Sequence, residues 1–168
     1  FKVVMGDGVG RFDLMNWYET VEAGAIAFQA FGADEDFQKI MQLRAVDPVG
    51  EVVGPWVGRM VFGSAPKGGK PVVVQRDYHA PRSAVQKALE LAPELQNIME
   101  SLGVEVGVGV PIMKDDHEML RIVYRFDSMV HWGQSVDKMV TDERFLGIVN
   151  AAHEVATLRS SRMLVKVE

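Results

Sequence analysis

The stretch Leu120 to Phe145, LRIVYRFDSMVHWGQSVDKMVTDERF, decides the fold. Its first part alternates: Leu120, Ile122, Tyr124 and Phe126 fall on one side, Arg121, Val123 and Arg125 on the other. A period of two is a strand with one buried face. The spacing then changes. Met129, Trp132, Val136 and Met139 recur every three to four residues, which predicts a helix. Thr141 is placed to cap its continuation, which carries Phe145, Ile148, Val149, Ala152 and Val155. The whole reads as a strand that runs straight into a long, broken helix.

The N-terminal part repeats these landmarks. Arg11-Phe12-Asp13-Leu14-Met15 echoes Arg125-Phe126-Asp127-Ser128-Met129, and each copy has a Trp downstream, Trp17 and Trp132. Asp34-Glu35-Asp36-Phe37 then matches Asp142-Glu143-Arg144-Phe145, and Arg59-Met60-Val61-Phe62 matches Arg162-Met163-Leu164-Val165. Four landmarks in one order predict an internal duplication. The copies are not equal. Trp17 to Asp34 spans seventeen positions and Trp132 to Asp142 spans ten, a difference of about two helical turns.

Working outward, Phe1 to Met5 is an apolar strand ending in the glycine-rich turn Gly6 to Gly10. That turn lacks the Lys and Ser/Thr of a phosphate loop. Leu14, Trp17, Val21, Ala25, Phe28 and Phe31 form one helical stripe, stopped by Gly32. Asp34 and Glu35 open a second helix carrying Phe37, Ile40, Met41 and Leu43. After a loop, Trp56 to Phe62 is a strand. Ser64 to Lys70 has linker composition. The expected organisation is an incomplete first repeat, 1–64, a linker, 65–70, and a complete second repeat, 71–168.

The second repeat starts with a β-branched strand, Pro71 to His79. Ser83 is placed to cap a helix over Ala84 to Leu102, with Pro93 kinking or splitting it and Gly103 ending it. Val104, Val106, Val108 and Val110 alternate with Glu105, Gly107 and Gly109 in the next strand. The last strand is expected from Ser161 to Val167. The order strand, helix, strand, strand, helix, strand is the split βαβ, ferredoxin-like arrangement, α+β in class. The valines and the Leu120/Ile122/Tyr124/Phe126 side should pack on helices. The opposite face then carries Glu105, Gly107, Gly109, Arg121, Val123 and Arg125. Val73, Gln75, Asp77 and His79 join it, unless Val72, Val74, Arg76 and Tyr78 take their place.

In this element order, in the Trp132-to-Phe145 stretch with its Asp-x-x-Phe turn, and in the tandem copy, the sequence resembles the dimeric α+β barrel superfamily. That superfamily includes antibiotic-biosynthesis-type monooxygenases, stress-responsive barrel proteins and the NIPSNAP-like and EthD-like groups. The resemblance covers 71–168 well and 1–63 in part. It implies ferredoxin-like sheets packed by their open faces into a barrel, here by the tandem copies, with ligands in the barrel or between sheet and helices. If the chain is an enzyme, it implies a cofactor-independent oxygenase or isomerase. The first repeat matches only the strand-helix-strand end of the unit, and its two strands would not be neighbours. Unpaired buried backbone is costly. The expectation is an upstream segment of about 40 residues, or a strand from a partner chain, and with it a homo-oligomer.

Composition narrows the function classes. The net charge is −5 and no basic patch dominates, which argues against nucleic acid. With no Cys there is no disulfide, thiol catalysis or thiolate metal site. No apolar run approaches the roughly 20 residues of a membrane span, and no stretch looks like a signal peptide. The expected location is the cytoplasm. No cofactor and no metal is expected. Asp115-Asp116-His117-Glu118 has ligand types, but in a hairpin turn without fixed spacing.

Three residues are the catalytic candidates: His79 and Tyr78 at a strand end, and Arg125. His79 could act as a base or simply meet solvent. Gln75, Asp77, Glu105 and Arg121 form, with Arg125, a polar constellation on one sheet face. It could anchor an anionic or carbonyl-bearing molecule, or it could be an ion-pair network closing a seam. Tyr124 and Trp132 are ligand candidates on the apolar side, where packing also explains them. Ten Met residues suit an adaptable apolar pocket. His131 lies off the helical stripe and is expected in solvent. Binding of a small, partly apolar molecule is the reading, against a non-catalytic structural or stress-associated protein whose polar sheet face is an interface.

Overall fold

The computed structural model describes residues 1–48, 50–63 and 69–167. Most of the linker expected at 65–70 therefore lies outside the described residues. The chain divides into two compact units, Phe1–Met15 with Val57–Glu168, and Asn16–Trp56.

The larger unit is built on one antiparallel sheet. Its strands are β1 (Lys2–Gly6), β2 (Val57–Phe62), β3 (Val72–His79), β4 (Glu105–Met113), β5 (Met119–Phe126) and β6 (Thr157–Val165), in the spatial order β1-β6-β3-β5-β4-β2. The inner four, β6-β3-β5-β4, are in the ferredoxin-like order, and the fold is α+β. Between β3 and β4 run α3 (Arg82–Leu89) and α4 (Ala92–Ser101); between β5 and β6 run α5 (Met129–Met139) and α6 (Glu143–His153). β1 and β2 do not pair with each other. β1 joins β6 at one edge and β2 joins β4 at the other.

The sequence's alternation sets the two faces. Val72, Val74, Val104, Val106, Tyr124 and Phe126 pack against Leu95, Ile98 and Met99 of α4, Met139 of α5 and Ile148 of α6. Leu120 and Val108 continue that layer towards Val85, Ala88 and Leu89 of α3. Each such buried aliphatic side chain contributes about 1.5–3 kcal/mol. On the opposite face Val3, Val73, Val123 and Leu164 form a small apolar centre with Phe1 and Met15. The glycine-rich turn brings 10–13 back along β1. Val3 N–H donates to Arg11 O, and Asp13 N–H to Phe1 O. Gly6, Gly8 and Gly10 all have left-handed φ values that such a turn requires. The return covers backbone that β1 would otherwise leave bare.

Local chemistry moves several boundaries. Pro93 splits the expected helix into α3 and α4, standing where a missing N–H costs nothing. Ser83 does not cap α3, which starts after Pro81 without a side-chain cap. Asp142, not Thr141, caps α6: its carboxylate accepts from Arg144 N–H and Phe145 N–H. An ionised acceptor at a helix N-terminus outcompetes a hydroxyl. β6 begins at Thr157, four residues before its expected start.

The smaller unit holds α1 (Val21–Ala33) and α2 (Glu35–Val46). Leu14 and Trp17 do not belong to α1, because Thr20 Oγ1 accepts from Ala23 N–H at 3.0 Å and starts the helix there. Asp34 then caps α2 through Phe37 N–H at 2.7 Å, the same local structure that Asp142 and Phe145 make in the larger unit. Neither α1 nor α2 buries a residue. Helices of 13 and 12 residues are marginal in water without packing. A peptide covering 16–56 alone should therefore show little helix by circular dichroism at 25 °C.

Candidate functional site

The register of β3 brings the polar constellation together. Asp77 stands opposite Arg121 on β5, and Gln75 stands opposite Arg162 on β6. Arg121 donates through Nε and Nη2 to both oxygens of Asp77, at 2.6 and 2.7 Å. Lys114 Nζ lies 3.6 Å from the same carboxylate. One step along, Arg162 donates twice to Gln75 Oε1 and reaches Asp13 Oδ2 at 2.7 Å. Gln75 Nε2 in turn donates to Met15 Sδ at 3.4 Å. Gln75 and Asp77 are thus each held by side chains of the same unit.

The electrostatics follow. Burial pushes the Asp77 carboxyl up, but the Arg121 hydrogen bonds and the charges of Arg121, Lys114 and Arg162 outweigh it and hold it below the ordinary carboxylate range. Burial pulls the Arg162 guanidinium down, and Asp13 opposes that.

Arg125 is set apart from this ladder. Its side chain is 3% exposed, and Nη1 lies 4.0 Å from Glu105 Oε2. Burial lowers its pKa and the Glu105 charge raises it; burial wins. Gly107 lies against it. A Cβ there would meet both Arg125 Nη atoms at 3.6–3.7 Å and collide with the Met60 methyl. The last β2 pairing joins Phe62 to Val108. Beyond it a cleft of about 240 Å³ opens beside the start of β4. α4 contributes Gln96 and Glu100, the following turn Gly103, β4 Val104, Glu105 and Val106, the end of β2 Gly63, and β5 Arg125.

The three catalytic candidates are not brought together. His79 ends β3 opposite Met119, which precedes Arg125 by six residues on β5. That is roughly 20 Å at about 3.3 Å per residue. His79 instead faces the β4–β5 turn, with Nδ1 4.0 Å from Asp116 and Nε2 3.9 Å from Glu118. Tyr78 points to the helix-covered side, among the side chains around Ala80, Ala92 and Leu120. Tyr124 is buried on that side, with the Arg76 guanidinium 5.6 Å from its ring centre. Burial pushes its phenol well above the ordinary value, against the opposing charge of Arg76. Trp132 packs against the main core from α5. Among the described residues no three His, Asp or Glu side chains are grouped to hold a metal ion.

His131 corrects the sequence reading. It does not stand in solvent but clamps the start of α5. Nε2 is 2.7 Å from Leu102 O, and Nδ1 accepts from Asp127 N–H at 3.2 Å. The backbone carbonyl requires the donor on Nε2, so one neutral tautomer satisfies both contacts. Asp13, Met15, Lys114 and Arg162 on the opposite face, and Gln96 and Glu100 in the cleft, are further residues that sequence reasoning missed. Arg162 carried a signal: it alternates in phase with Leu164, and a β6 started at Thr157 would have placed it beside Gln75.

Two outcomes are expected. Asp77's depressed carboxyl stabilises the fold fully above its unfolded value of about 3.9, and that contribution is lost as pH falls through the lower folded value. Asp77→Asn should therefore lower the melting temperature at pH 7 and reduce its fall between pH 4 and 2. The loss at pH 7 should be about 2 kcal/mol, below the 3–5 of a fully buried pair, because Arg121 stays 25% exposed. Chemical denaturation at both pH values checks it. His131→Ala should cost about 1–2 kcal/mol through the orphaned Leu102 carbonyl and Asp127 N–H.

No protein-family model matches the sequence, and no curated protein matches it. Among solved structures, the chain is similar to a NIPSNAP family protein from Agrobacterium tumefaciens, at 16% identity and a TM-score of 0.48, covering 63% of this chain and 94% of that one. It is also similar to a heme-degrading enzyme from Listeria monocytogenes, at 14% identity and a TM-score of 0.45, covering 74% of this chain and 92% of that one.

Proposed function

We propose that this protein binds a small, partly apolar molecule in the cleft at the edge of β4, with Arg125 as its polar anchor. The observation that carries the reading is the position of the Arg125 guanidinium. It is withdrawn from bulk water yet lines an open cleft. A planar fork of donors in a partly desolvated site favours a carboxylate or carbonyl oxygen. Val104 and Val106 border the cleft from β4, with their side chains buried under the helices. The volume equals roughly eight water molecules at liquid density, which sets the size of the occupant.

Binding is favoured over catalysis by the scatter of His79, Tyr78 and Arg125. An oxygenase or isomerase would need its proton-transfer group within hydrogen-bond reach of the reacting atom. In the cleft that group is Glu105, not His79. The ladder through Asp77, Arg121, Gln75 and Arg162 takes the other role raised by the sequence, an ion-pair network that holds strands together. Its groups already satisfy one another.

Native mass spectrometry, paired with thermal melting of Arg125→Lys and Glu105→Gln, tests the reading. The expected result is an extra mass on the wild-type chain that both variants lose, with melting within about 3 °C of wild type. Lysine keeps the charge but not the fork, and Glu105 is exposed, so neither change should unfold the protein. Retention of the same mass by both variants would overturn the assignment of the cleft.

A further inference from the structure

The apolar side of α2 stands exposed. Phe37, Ile40 and Met41 fall on one stripe of the helix with Arg44, and the Phe31 ring of α1 lies 5.9 Å from that of Phe37. Together with Phe28 and Phe31, these apolar side chains are each 40–64% exposed. At about 200 Å² for a whole side chain of this size, they leave roughly 500 Å² of apolar surface uncovered. A standard protein interface buries about 800 Å² per partner, a little over half of it apolar. The uncovered area is what one side of such an interface needs. The stripe also has a symmetry of its own. Phe37 and Arg44 stand equally far from a midpoint between Ile40 and Met41, and the helix begins on Glu35 and Asp36 and carries Arg44 in its last turn. A helix with that pattern is complementary to a copy of itself laid antiparallel.

We infer that α2 pairs with α2 of a second copy of this chain, antiparallel across a two-fold axis, with Ile40 and Met41 at the centre. Ile40 then meets the partner's Met41, and Met41 the partner's Ile40. Arg44 comes over the partner's Phe37 and beside the partner's Asp36, where ring face and carboxylate both attract it. Asp36 holds Lys39 through one oxygen and its side chain is 87% exposed, so a second cation can reach it. Such a contact is isologous and closes at two copies. It supplies the packing that helices of 13 and 12 residues lack in water. The whole chain also loses less entropy on pairing than a free 16–56 peptide would. Met15 and Val57, at the two ends of the hairpin, both belong to the larger unit, so the loop is already closed.

Sedimentation equilibrium of the whole chain, from about 1 μM to 1 mM, tests this. The wild-type chain should reach twice its monomer mass within that range. Ile40→Glu should weaken pairing about thirtyfold or more, as loss of a central apolar contact does. Val46→Lys, on the opposite side of α2, should leave pairing unchanged. Arg44→Glu and Asp36→Arg should each weaken it about fivefold. The two changes together should restore it, which a helix merely unfolded by either one would not do. A monomer at every concentration would overturn the inference, whether the stripe is then bare or covered by the chain's own strands. A dimer that Ile40→Glu leaves intact would also overturn it, by putting the contact on another surface.

Discussion

The register of β3 is the constraint on which the larger unit depends. β3 pairs along its whole length with β5 on one side and β6 on the other. Side chains on a strand have a period of two, so a slip of one residue moves every one of them to the other face. Here a slip would put Gln75 and Asp77 under the helices and Val72 and Val74 out among arginines. Each misplaced ionised group would cost several kcal/mol in the core. The apolar layer and the polar ladder therefore specify the same register from opposite sides. Their agreement removes the competing pairings that a uniformly apolar sheet would allow.

That double specification explains why a face so rich in charge is stable. An isolated guanidinium near an apolar layer is penalised. Arg121 and Arg162 escape because each meets a planar acceptor from the neighbouring strand, at hydrogen-bond distance on both nitrogens used. The N-terminal return adds the last two groups, Asp13 for Arg162 and Met15 for Gln75. A segment distant in sequence thus completes a network that β3, β5 and β6 begin. Arg125 stands at the far end of the same row, opposite Val73 instead of an acid on β3. Among the described residues it stands 4.0 Å from Glu105 on β4, a carboxylate half in water. This difference of neighbours separates a structural arginine from one placed beside a cleft.

What the sequence disclosed follows from what periodicity can encode. Alternation in Leu120 to Phe126 and Val104 to Val110 assigned both faces, with Glu105, Arg121 and Arg125 on one of them, while β3 was open to either phase and the structure puts Gln75 and Asp77 beside those arginines. Pro93 and Gly103 marked their breaks because each acts on its own backbone. The misses are of two physical kinds. The cap was misplaced at Thr141 because its neighbour Asp142 competes for the same helix start, and at Ser83 because α3 begins after Pro81 with no side-chain cap at all. Asp13, Met15 and His131 were missed because their partners lie far along the chain. Periodicity places a residue on a face; it does not say which loop returns to cover it. His79 and Tyr78 looked like a pair in sequence, yet adjacent residues on a strand face opposite ways, which the same alternation already required.

The glycines of β4 show the same logic at the cleft. A strand loses stability when glycine replaces a side chain, because nothing packs and more backbone entropy is lost. Gly107 is nonetheless where a β-carbon would strike the Met60 methyl, while it would touch the Arg125 guanidinium only at ordinary contact distance. The strand gives up a side chain so that its neighbours on both sides, β2 and β5, can lay theirs across it. Met60 then closes the face on the β2 side, while beyond Phe62 the cleft opens beside the start of β4. Above Gly107 the Arg125 side chain is withdrawn from water and borders that opening. The small residue on the strand makes room for the Met60 side chain, and the buried charge of Arg125 lies beside it.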